Sequence, residues 1–116
     1  MGEIRLITKP ILLDEVKLAA QARFGDMVKA VVDIEKNVMA LGGELHADEE
    51  ALLLQNGSKQ ENLWGINLYV DLSWPEMVEF DSMINIRPHQ NNRTRSIQDP
   101  AVRSRVLSVV SKIITL

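Results

Sequence analysis

The chain predicts a single α+β domain: a mainly antiparallel sheet of four to five strands with helices packed on one face. Three observations lead there. Its 116 residues are 46% apolar and 25% charged, enough to close one core without staples. Segments with a period of two are joined by short polar links, as in hairpins. Between and after them lie helix signals, of which Asp99-Pro100, an N-cap acceptor followed by proline at the first helical position, is the sharpest.

In chain order, Glu3 to Thr8 is β-tolerant and stopped by Pro10, which suits a short edge strand. Pro10 then opens a helix, with Asp14 and Glu15 in its first turn, Leu13, Val16, Ala20 and Phe24 on one stripe, and Gly25 as its stop. Met27 to Ile34 and Val38 to Leu45 flank Glu35-Lys36-Asn37, a hairpin link with Asn37 near the left-handed region. The first of these strands turns Val28, Ala30, Val32 and Ile34 inward. Gly42-Gly43 indicates a bulge or a close backbone approach. His46 to Gln55 reads as a short helix, acidic in its first turn and ended by Asn56-Gly57. Leu63 to Val70 alternates with Trp64, Ile66, Leu68 and Val70 inward, and residues 71–76 form a loop.

The stretch from Glu79 to Arg95 then reads as the longest strand, running into the densest polar cluster. Phe80, Ser82, Ile84 and Ile86 fall on its inner side. The closing helix carries Val102, Val106, Val109, Val110 and Ile113 as its stripe. Trp74, in the loop, is expected either to fold back on the core or to enter an interface.

The absence of cysteine excludes disulfides, thiolate metal sites and cysteine nucleophiles, and points to the cytoplasm. Apolar runs are far shorter than the roughly 20 residues that cross a bilayer, and the first ten residues have no apolar signal core, so neither export nor membrane insertion is expected. Two glycosylation patterns, at Asn56 and Asn92, then mark only surface turns. Net charge is -3 but polarised: residues 85–116 hold six Lys or Arg against one acid, the rest seven against fifteen. The acidic remainder argues against generic binding along a nucleic-acid backbone.

Two clusters offer chemistry. Arg87, Asn91, Arg93 and Arg95 precede the Asp99-Pro100 helix start, where guanidinium groups and a helix N-terminus would seat an anion. The competing reading pairs Arg87 with Asp81 or Asp33 and leaves Arg93 and Arg95 solvated. Glu44, His46 and Glu49, joined by Asp81, supply oxygen and nitrogen ligand types for a divalent metal and thus a hydrolytic site. The same residues also fit an ordinary acidic helix start. No other cofactor motif is evident: Gly42-Gly43 lacks the lysine of a phosphate loop, and Ser82 lacks the context of a serine hydrolase.

The segments VVDIEKNVMALGGELHADEEALLL, LWGINLY and EFDSMINIRP, followed by DPAVR, resemble a family of small prokaryotic proteins catalogued only as a domain of unknown function. The likeness spans roughly Arg5 to Ile113, with Leu12 and Asn37 standing where a polar helix cap and a turn glycine would be expected. It implies no activity, cofactor or catalytic residue. The residues themselves favour a non-enzymatic binding module for an anionic ligand, such as a nucleotide, phosphate or a short nucleic acid. A divalent-metal hydrolase and a homodimeric assembly protein are the alternatives. For the homodimer, Val31, Tyr69 and Met83 on the outer sheet face form the expected interface.

Overall fold

The computed structural model describes residues 3–116. Seven strands and three helices follow in the order β1 (Arg5–Ile7), β2 (Ile11–Leu12), α1 (Leu13–Gln21), β3 (Met27–Asp33), β4 (Val38–Leu41), α2 (His46–Gln55), β5 (Leu63–Tyr69), β6 (Val78–Glu79), α3 (Pro100–Ile113) and β7 (Ile114–Thr115). Five strands form an antiparallel sheet in the order β1-β4-β3-β5-β6, while β2 and β7 pair in parallel. It is an α+β domain, with no described helix long and apolar enough to cross a membrane.

The expected pleat is present. Val28, Ala30, Val32, Trp64, Ile66 and Leu68 form one buried sheet face, capped by Val16 and Ala20 of α1 and by Val106, Val109, Val110 and Ile113 of α3. Asp33 sets the β3-β4 turn: its carboxylate accepts from the backbone N–H groups of Glu35 and Lys36, each at 2.9 Å, and Asn37 takes φ 58°. Pro10 stands outside α1, because the β2-β7 pairing comes first. Glu15 then accepts from the Leu12 N–H at 3.0 Å. Phe24 lies beyond α1 and is exposed.

The placement of the helices differs from expectation. The helices do not share a face: α2 lies on the other side of the sheet, where Leu53 packs with Val31, Ala40 and Leu63 in a second buried cluster. Three small or apolar residues among polar neighbours give a patch wide enough for one short helix. Val31 is therefore covered within the chain and is not part of an outer interface. Gly43 makes this docking close, since a Cβ there would sit 3.0 Å from Glu49 Cγ on α2.

The long strand expected from Glu79 through Arg87 is also absent. Pairing stops after Val78–Glu79, and the chain crosses β5 so closely that a Cβ on Gly65 would meet Ser82 Cβ at 2.6 Å. 3₁₀ turns follow at Met83–Asn85 and Pro88–Gln90, with Ser82 Oγ accepting from the Ile84 N–H ahead of the first. The Asn85 side chain then takes the place of a neighbouring strand: Gly65 N–H donates to Asn85 Oδ1 at 2.8 Å, and Asn85 Nδ2 donates to Gly65 O at 2.9 Å. Ile84 consequently joins the second cluster, and Ile86 is exposed. Phe80 and Trp74 do pack against the main core.

Candidate functional site

The basic cluster separates in the folded chain. Arg87 is buried, its guanidinium stacked 4.8 Å from the Trp64 ring centroid. It donates to the carbonyls of Ile84, Gln60 and Leu63 and pairs with Glu50 at 3.4 Å. That set of bonds ties the 85–92 segment to β5 and α2, so Arg87 is closed to an incoming ligand. Its partner is Glu50, not Asp81 or Asp33. Asn91 is an exposed turn residue at φ 60°, and Arg93 is exposed. Arg95 pairs instead with Asp81, Nε to Oδ1 at 2.8 Å. Asn92 is buried, its Nδ2 donating to the carbonyls of Asn85, Thr94 and Ser96, so it is no surface acceptor for a glycan.

The acidic cluster separates as well. Glu49 turns into the protein, Oε2 accepting from Gly43 N–H at 2.9 Å, and burial pushes its pKa up to about 9, which keeps it neutral and a poor metal ligand. Its Oε1 has no partner among the described residues. Glu44 stays exposed. Among the described residues no three His, Asp or Glu side chains lie where one ion could be held.

What the fold does assemble is a cleft of about 440 Å³ on the part of the second sheet face that α2 leaves uncovered. Its floor follows from register. Lys29 on β3 is opposite Asn67 on β5, and Asn67 is opposite Glu79 on β6, so three side chains form a row across three strands; Met27 and Tyr69 form the next row. One wall is the start of α2, Leu45 to Ala47, and the other is Asp81 to Ile84 with Arg95. Both cluster readings thus contribute residues, His46, Asp81 and Arg95, to a place neither predicted.

The polar groups of this cleft are individually constrained. Asn67 is 6% exposed, and its Nδ2 donates to Glu79 Oε1 at 2.8 Å and to Asp81 O at 3.2 Å. Those two acceptors fix the amide orientation, which leaves Oδ1 facing no donor among the described residues. His46 Nε2 lies 2.8 Å from Ile66 O, an acceptor, so Nε2 carries the proton. Burial lowers the ring's pKa, and the neutral imidazole keeps its lone pair on Nδ1. Tyr69 OH bonds Glu79 Oε1 at 3.3 Å, and desolvation together with that carboxylate raises the phenol pKa. Lys29 has no carboxylate partner among the described residues; its Nζ sits 5.4 Å from the Phe24 ring centroid.

The helix wall adds a further donor set. Leu45 occupies the N-cap of α2, where a leucine side chain can accept nothing. The N–H groups of Leu45, His46 and Ala47 find no acceptor among the described residues, although all three residues line the cleft. Sequence reasoning passed over Lys29 and Asn67 because alternation marks a residue only as outward. The missing cap at Leu45 was a readable sign.

A protein-family model described as a protein of unknown function (DUF5674) matches residues 5–113. No curated protein and no solved structure matches the chain.

Proposed function

The chain belongs to the family DUF5674, a protein of unknown function, so its own cleft must supply the reading, and we propose that it is a non-enzymatic binding module for a small ligand carrying an anionic group. The observation that carries this is the uncapped start of α2 beside Lys29. Free N–H groups and the positive end of a helix dipole favour negative charge, and a lysine without a carboxylate partner adds a full charge to them. The cleft's size falls within the range of small-molecule sites. The ligand's place is thus the α2 start, while Arg87, Asn91 and Arg93 do not line it. A cytoplasmic setting in a prokaryote is part of the proposal and suits a chain without cysteine.

Thermal melting at low salt with inorganic phosphate, nucleoside monophosphates, simple carboxylates and amino acids tests it. At least one compound should raise Tm, and Lys29→Gln should remove the rise while Arg93→Ala leaves it. A flat Tm across that panel would retire the proposal. Glu49, neutral and engaged with Gly43, lends the hydrolase reading no support.

Self-association is a second reading, favoured by Met83, 66% exposed, and Leu45, 54% exposed, at the edge of the same cleft. A second copy would cover both.

A further inference from the structure

The cleft is polarised along its floor, and that pattern narrows the ligand. The row Lys29–Asn67–Glu79 runs from a cation, through a neutral amide, to an anion, one residue on each of three adjacent strands. The walls repeat the asymmetry. The bare N–H groups of α2 belong to one wall, and Asp81 to the other, where Arg95 already neutralises it in part.

A simple anion would satisfy only part of this set. Asn67 Oδ1 is a buried acceptor whose orientation is fixed by its own donors, and an acceptor left unpaired in a protein interior is unfavourable until a donor arrives. Glu79 has two of its contacts in Asn67 Nδ2 and Tyr69 OH, both through Oε1. Oδ1 of Asn67, Nδ1 of His46 and Oε2 of Glu79 are all acceptors, and all three residues line one cleft. They ask for N–H or ammonium groups, whereas Lys29 and the α2 start ask for a carboxylate or phosphate.

We infer that the ligand is dipolar, an α-amino carboxylate whose carboxylate meets Lys29 and the α2 N–H groups while its ammonium meets Asn67 Oδ1 and Glu79. This rests on the binding reading proposed above and adds the ligand's second pole. Asn67 Oδ1 is shielded from solvent in the empty cleft, so the ammonium's first contact is Glu79, which is exposed beside it. Net charge balance supports the dipolar choice over a dianion: the titratable side chains in the lining are Lys29 and Arg95 against Glu79 and Asp81, with His46 and Tyr69 neutral. A dianion would meet two fixed carboxylates.

The test compares each amino acid with its own halves, by calorimetric titration and melting of the intact chain. L-alanine, L-glutamate and L-lysine are set against propionate, glutarate and 1,5-diaminopentane, with inorganic phosphate as a separate arm. At least one amino acid should bind ten-fold or more tightly than its matched carboxylate or amine. Glu79→Gln and Lys29→Gln should each weaken that binding at least ten-fold, and melting of each ligand-free variant verifies that it is folded. If phosphate or a carboxylate binds as tightly as any amino acid, or if Glu79→Gln changes nothing, the dipolar inference is overturned and the anion site stands. If no compound in any arm binds, both fall.

Discussion

Arg87 shows how misleading a charged residue can be when only its neighbours in sequence are known. Its side chain is 3% exposed, lies against Trp64 and donates to the carbonyls of Gln60, Ile84 and the buried Leu63. Truncation removes a stacked cation and strands those acceptors together with Glu50. Arg87→Ala should therefore cost about 3 kcal/mol, read from urea denaturation, against less than about 0.5 kcal/mol for Arg93→Ala on the surface. Equal effects of the two would contradict this placement. Glu49 makes a second prediction at the same scale. Its pKa rises from 4.5 to about 9 through burial, so across that interval the folded chain holds a proton that the unfolded chain releases. Its contribution to stability is full below pH 4.5, declines as pH rises through the neutral range and levels off above about 9. Glu49→Gln keeps a neutral side chain of the same shape and should flatten the difference. The mutant ought to gain on the wild type as pH is raised from 5 to 9, and parallel stability curves would count against a neutral Glu49.

At the level of elements, the sheet ends where a side chain replaces a strand. Asn85 offers β5 an acceptor and a donor at Gly65, the two groups a strand residue would offer, and Ser82 fills the space that Gly65 leaves. Asn85→Ala should therefore cost about 2 kcal/mol, because Gly65 loses both partners in a buried setting. Gly65→Ala should cost about 1 to 3 kcal/mol through crowding against Ser82. Equilibrium unfolding checks both, and a neutral result for either would mean that the crossing over β5 is loose. This element also marks what could be read in advance. The hairpin, α2, β5 and α3 follow from periodicity, caps and turn residues, all of which act within a few positions. The 80–92 segment has the same period of two, yet its structure is decided by Asn85, Arg87 and Asn92 bonding to carbonyls up to 27 residues away. Alternation records which residues are apolar. It carries nothing about which amide will find a distant backbone group.

For the molecule as a whole, the candidate site is what remains after two faces of one sheet are unequally covered. α1 and α3 cover one face, whereas α2, ten residues long, packs on Val31, Ala40 and Leu63 of the other and leaves the rest open. The uncovered part of that second face was legible as polar from Lys29, Asn67 and Tyr69. That α2 would divide it was not, since antiparallel sheets commonly leave one face wet and nothing local names the face a short helix takes. The same division recasts self-association. Val31 is gone from the interface, which leaves Tyr69, half-buried, with Met83 and Leu45 at the cleft edge. Two exposed apolar side chains make a small patch, so association through it should be weak and readily reversed. Sedimentation equilibrium over a range of micromolar concentrations should then give a mass above 13.1 kDa that falls on dilution. Met83→Lys should restore the mass of one chain. A cleft ligand binding beside Met83 would also shift this equilibrium, in a direction set by whether the second copy closes the cleft or competes for it. A mass of 13.1 kDa at every concentration would exclude the second copy and leave the cleft open to the small ligand alone.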